Sequence, residues 1–109
     1  MKNCCDMRGF LSFIVLRLIS RKSMSGEEIR KEIEIRRGTK PSPGTIYPVL
    51  KSLSNSNFIH EIKARGKIKK YELTLAGKKE LKVATRRFIA IFCDMQEEFE
   101  KIREHPKNK

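Results

Sequence analysis

Residues 41–53 read PSPGTIYPVLKSL, and this stretch decides the fold. Ser42 offers a hydroxyl to an orphan backbone N–H at a helix start, and Pro43 follows as a first helical residue with no N–H to lose. Ile46, Val49, Leu50 and Leu53 then recur at i, i+3, i+4 and i+7, which is one apolar stripe. The opposite side carries Gly44, Thr45, Tyr47, Pro48, Lys51, Ser52 and Asn55, with no carboxylate among them. A helix buried on one face and offering small residues, hydroxyls and a lysine on the other suits the major groove of DNA. Pro48 strains this reading, because a proline inside a helix removes a hydrogen bond and disfavours helical backbone at Tyr47. On pattern alone the helix starts later, near Tyr47.

Upstream, Ser25 and Glu28 have the S-x-x-E spacing of a capping box, and Met24 with Ile29 matches the hydrophobic staple. The helix they open buries Ile29 and Ile33 and fades near Arg37-Gly38. Gly38 to Pro41 is then the turn between two helices, the second poor in acids, as in a helix-turn-helix. An earlier helix, about Arg8 to Ser20, is apolar over most of its circumference, so it needs cover on more than one side. Another subunit is one source of that second cover. Downstream, Phe58, Ile59, Ile62 and Ala64 supply a first strand, Arg65-Gly66-Lys67 a turn, and Ile68, Tyr71 and Leu73 a second strand. Lys63, Arg65, Lys67, Lys69 and Lys70 crowd the tip and flanks of this hairpin. Five cations with no opposing acid repel one another, which favours phosphate contact over a merely solvated surface.

The 41–53 stretch resembles the recognition-helix signature of PadR-like transcriptional regulators. The resemblance implies a winged helix-turn-helix fold and a recognition helix over about 42–55, Pro48 included. KKYELTLAGKKEL, residues 69–81, is similar to the same family: a basic residue, Tyr71 on the strand, Leu73-Thr74, then Gly77 early in the next helix. Thr74 is the expected N-cap there. The likeness runs from about Gly9 to Gly77. One departure stands out: the family usually has an aromatic residue after the glycine that opens the second helix, and here Gly26 is followed by Glu27.

The fold class expected is therefore mainly α with a small β-hairpin. Residues 1–76 form the winged helix-turn-helix region, with the wing over about 58–73, and residues 77–109 a C-terminal dimerisation helix, within one compact domain. That last helix is expected as a single rod from about Leu75 to His105. Leu81, Ala84, Phe88, Ile91 or Phe92, Met95, Phe99 and Ile102 recur at alternating threes and fours, a coiled-coil-like seam. Phe88, Phe92, Met95 and Phe99 are expected to lack cover within the chain, so the seam reads as a homodimer interface. Phe10, Phe13, Phe88, Ile91, Phe92, Met95, Phe99 and Ile102 are its candidates. His105-Pro106 ends the helix and Lys107–Lys109 is a frayed tail.

Composition agrees with an anionic partner. The 109 residues carry a formal net charge of +12, and its placement matters more than its size. Residues 36–70 hold nine Lys/Arg against one acid, Glu61, whereas residues 94–104 hold five acids against Lys101 and Arg103. The basic block surrounds the recognition helix and hairpin. The longest apolar run, Phe10 to Leu18, is interrupted by Ser12 and Arg17 and is too short to span a membrane. No small-residue cleavage site follows it, so no secretory signal is expected. Cys4, Cys5 and Cys93 are odd in number, which argues against a disulfide framework and for a reducing cytoplasm.

The expected function is a sequence-specific DNA-binding regulator, a repressor by the family resemblance, holding a pseudo-palindromic operator as a homodimer. Candidate contacts on the recognition helix are Ser42, Pro43, Gly44, Thr45, Tyr47, Pro48, Lys51 and Ser52. Gly44 has an alternative role in close packing, and Tyr47 an alternative as a half-buried wedge. No Arg, Asn or Gln lies centrally on the outer face, so phosphate contacts and DNA shape are expected to carry much of the affinity. A thiol or metal sensor is the first alternative, although Cys4, Cys5, Cys93, His60 and His105 show no ligand spacing. An organic effector between subunits is another. A non-specific DNA- or RNA-binding winged helix is the last, and the hairpin offers it only Tyr71, expected to face inward. No cofactor or metal is expected. No paired carboxylates, nucleophile–base set or glycine-rich phosphate loop points to an enzyme.

Overall fold

In chain order, the helices α1 (Met7–Arg21), α2 (Gly26–Arg37) and α3 (Pro43–Asn55) lead into the strands β1 (Ile59–Lys63) and β2 (Lys69–Leu73). The helices α4 (Leu75–Asp94) and α5 (Gln96–Glu104) complete it. This computed structural model describes residues 7–63 and 65–104, with side chains over 9–63 and 65–102. The readings made for Ala64, Cys4, Cys5, His105-Pro106 and Lys107–Lys109 fall outside the described residues.

The second helix begins where its box predicts. The Ser25 hydroxyl accepts from the Glu28 amide at 3.1 Å, and Glu28 Oε1 accepts from the Ser25 amide at 2.8 Å. The Ser25 amide, and after it the Lys70 ammonium, holds the Glu28 carboxyl below its usual pKa. Gly38 closes the helix with φ +83°, a left-handed conformation that favours glycine, and its amide reaches the Glu34 carbonyl at 2.7 Å. Ser25→Ala removes one half of the box and is expected to lower stability by about 1 kcal/mol. Chemical denaturation measures it, and an unchanged midpoint would show that the box is incidental.

The core lies between α1, α2, α3 and the base of the hairpin. Leu18 and Val15 of α1, Ile29 of α2, Ile46 and Leu50 of α3, and Ile59 of β1 are its most enclosed side chains. All four stripe residues of α3 are buried. The first helix is covered by α3 and β2 on one side and by α4 of the same chain on another. The strands pair antiparallel, with Ile59 opposite Leu73, Glu61 opposite Tyr71 and Lys63 opposite Lys69. Gly66, at φ +66°, supplies the turn. The connection before α2 joins them: Met24 and Tyr71 exchange backbone hydrogen bonds of 3.2 and 2.9 Å.

A tight junction sets the start of α4. The Thr74 hydroxyl accepts from the Gly77 amide at 2.9 Å and donates to the Asn57 carbonyl at 2.6 Å. The Thr74 amide donates to the Phe58 carbonyl at 3.0 Å. Gly77 is pressed so closely on that carbonyl that a Cβ would run into its oxygen.

The expected single C-terminal rod is corrected by the structure. Met95, at φ −107° and ψ 15°, leaves the helical range and separates α4 from α5. Its amide bonds back to the Phe92 carbonyl at 3.0 Å in a tightened turn, and the Phe99 amide resumes from Met95 at 3.1 Å. Across the break the Phe99 ring lies beside Phe92, centroids 5.6 Å apart.

Candidate nucleic-acid interface

Helix α3 begins at Pro43 with Ser42 at the N-cap, not near Tyr47 as the apolar pattern alone suggests. The Ser42 hydroxyl does not cap an amide, however. It pairs with the Thr45 hydroxyl at 3.1 Å, and the Ser42 carbonyl takes the Ile46 amide. Competition between neighbouring hydroxyls explains the difference. Helical geometry continues through Pro48, which has no amide to give the Gly44 carbonyl.

The structure places Ser42, Pro43, Gly44, Thr45, Tyr47, Pro48, Lys51 and Ser52 all on the exposed side of α3. Gly44 is not a packing glycine within this chain. A Cβ there would meet only the Ser42 hydroxyl, at 3.8 Å. Tyr47 is 41 % exposed, and its ring lies on Gly26, where any Cβ would collide with it. Its hydroxyl points to Glu27 Oε2 at 3.4 Å, a weak bond. Burial, and after it the Glu27 charge, raises the Tyr47 pKa, so the ring stays a neutral donor. An aromatic ring from α3 thus occupies the start of α2.

Arg30, which sequence reasoning passed over, and Glu27, noted there only as a departure from the family pattern, organise this end of α3. Arg30 donates from Nε to the Pro41 carbonyl at 2.8 Å and from a terminal nitrogen to the Glu27 carboxylate at 2.6 and 2.8 Å. Arg30 thereby ties α2 to the turn before α3 and holds the Glu27 carboxyl below its usual pKa. The only sequence signal was the i, i+3 spacing of the pair, and the bond to Pro41 spans 11 residues.

On the hairpin, Lys63, Arg65, Lys67 and Lys69 are exposed. Lys63 faces Lys69 directly in the ladder, a like-charge pair that destabilises the strands unless an anion intervenes. Lys70 corrects the expectation that no acid opposes the five. Its ammonium lies 3.6 Å from Glu28 of α2, because the connection before that helix pairs with Tyr71 and brings Glu28 beside β2. Tyr71 faces inward and is buried.

The dimer candidates divide into two groups. Phe88 is not left uncovered as expected, since α4 crosses α1 and brings it to Phe13 and Phe10, centroids 4.5 and 5.7 Å apart. Ile91 is half-buried. Phe92, Met95, Phe99 and Ile102 remain exposed, at 42, 39, 36 and 63 %. No helix among the described residues is long and apolar enough to cross a membrane.

Comparison with known proteins follows the same outline. The family model described as the transcriptional regulator PadR-like family matches residues 15–83. A PadR family transcription regulator from hypervirulent Clostridium difficile R20291 superimposes with a TM-score of 0.74 at 25 % identity, covering 84 % of this chain and 99 % of that one. A PadR-like transcriptional regulator from Bacillus cereus strain ATCC 14579 gives 0.77 at 24 % identity, with coverages of 85 and 94 %. A Streptococcus transcriptional regulator gives 0.67 at 24 % identity, with 89 and 95 %. The last two show likeness of fold. No curated protein sequence matches the chain.

Proposed function

This chain belongs to the PadR-like family of transcriptional regulators, and from that premise we propose that it is a repressor that grips a pseudo-palindromic operator as a homodimer. Regulators of this family bind DNA and are not enzymes. The observation that carries the reading is the carboxylate-free outer face of α3 beside a hairpin whose Lys63–Lys69 pair has no ion-pair partner among the described residues. Helix α3 enters the major groove, and the hairpin lies on the backbone beside it. The positive start of α3, where Ser42 and Gly44 stand open, is suited to a phosphate. Tyr47 and Glu27 set the angle between α2 and α3, and Thr45, Lys51 and Ser52 face the bases. A two-fold dimer then presents its two copies of α3 to half-sites about 34–36 Å apart. Occupying a promoter suffices for repression.

Selection of bound duplexes from a random pool tests this reading. A palindromic consensus is expected; recovery of unrelated sequences would remove the operator and the symmetry together. The hairpin is tested separately. Lys67→Ala and Lys69→Ala are each expected to weaken binding to all duplexes alike and to lower the slope of log affinity against log salt by about one unit. An unchanged slope in both variants would take the hairpin out of the interface.

A further inference from the structure

A second basic surface lies away from α3. A groove of about 790 Å³ opens between the end of α1, the connection after it, β2 and the middle of α4. No residue of α2, α3 or β1 lines it. Arg21, Lys22, Lys78, Lys82 and Arg86 stand along its walls, and Glu72 is its one carboxylate. That carboxylate is already engaged, 3.1 Å from His60 Nε2 on the neighbouring strand. None of the five cations forms an ion pair among the described residues. Lys78, Lys82 and Arg86 follow at four-residue steps on one side of α4, about 6 Å apart along the axis. Like charges at that spacing destabilise a helix, and a bound polyanion reverses the sign of the effect. The floor is apolar: Ile19 is buried, and Leu73 and Leu81 are half-buried beside it. A row of cations over an apolar floor fits a ligand with a chain of charge and a flat hydrophobic body, in a volume usual for small-molecule sites.

We propose that this groove binds a ring-bearing polyanion of the nucleoside-polyphosphate class. Lys78, Lys82 and Arg86, with Arg21 opposite, hold the phosphates, and the ring rests on Leu73 and Leu81.

Calorimetric titration at fixed salt tests it, with adenosine diphosphate as probe and pyrophosphate and adenosine as controls. Adenosine diphosphate is expected to bind, with each control about tenfold weaker or more, because each lacks half of the contacts. A Lys82→Ala/Arg86→Ala variant is expected to lose about tenfold, as the removal of charge-assisted bonds implies. Lys67→Ala/Lys69→Ala, on the hairpin, is expected to bind the nucleotide as the unaltered protein does. DNA affinity is read in the same series, so failure of the regulator reading shows separately. Absence of nucleotide binding, or equal binding by the groove variant, overturns the proposal. So does pyrophosphate binding as tightly as the nucleotide. A groove variant that loses DNA affinity as the hairpin variant does also overturns it, by assigning the groove to the duplex backbone.

Discussion

Gly77→Ala is expected to lower the stability of this protein by about 3 kcal/mol, at the upper end of what overpacking a fixed site does. The added methyl meets the Phe58 carbonyl oxygen, a backbone atom that no rotamer change moves aside. That carbonyl already accepts the Thr74 amide, and the Thr74 hydroxyl joins Gly77 to Asn57. Backing α4 away by the required distance therefore strains three hydrogen bonds, each with a net value of about 1 kcal/mol. For a domain of this size the melting temperature should fall by roughly 12–20 °C. Gly44→Ala is the matched control, because the same methyl there meets only the Ser42 hydroxyl, at an ordinary 3.8 Å. In a helix it should be neutral or stabilising by up to about 1 kcal/mol. Equal melting temperatures for the two variants would show that the junction yields.

A Phe92→Glu/Phe99→Glu variant is expected to abolish self-association at micromolar concentration. Both rings lie outside the core cluster, so the fold should survive the change. They form, with Met95 and Ile102, the exposed apolar surface around the α4–α5 break. Placing two carboxylates in a contact built from such groups should cost about 3 kcal/mol or more, or at least roughly 100-fold in the dimer dissociation constant. Under the proposed two-fold binding, DNA affinity is expected to fall with it, since one half-site would no longer be tethered to the other. Ile35→Glu serves as the comparison: that residue is 76 % exposed on α2, away from the break. Sedimentation measures all three proteins. A monomeric parent, or a double variant as dimeric as its parent, would remove this surface from the interface.

The parts of the structure that sequence reveals are those decided within a few residues. The Ser25–Glu28 box, the Gly38 stop, the Thr74 cap and the stripe of Ile46, Val49, Leu50 and Leu53 each rest on neighbours within one or two turns. The start of α3 needed the family signature, because Pro48 argues locally against a helix that tertiary packing permits. Contacts between distant residues left no trace in the pattern. Tyr47 meets Glu27 across 20 positions. Lys70 meets Glu28 across more than 40, so a hairpin that reads as five free cations has four among the described residues. The break at Met95 has no proline or glycine to announce it, and what accompanies it is the approach of the Phe92 and Phe99 rings. Of the proposed contact surface, sequence supplied the residues and their common side. Sequence offered Tyr47 as a half-buried wedge only as an alternative, and its seat on Gly26 and the brace of Arg30 came from the structure alone.

The paired bonds between Met24 and Tyr71 have a consequence for solubility. A two-stranded ribbon ordinarily offers unsaturated backbone along both flanks, each a template for stray chains. Here one flank is stitched to the linker before α2, so only β1 is left unsealed. That flank is guarded by Glu61 and Lys63, both exposed. A strongly basic ribbon is thereby kept from zipping onto its neighbours.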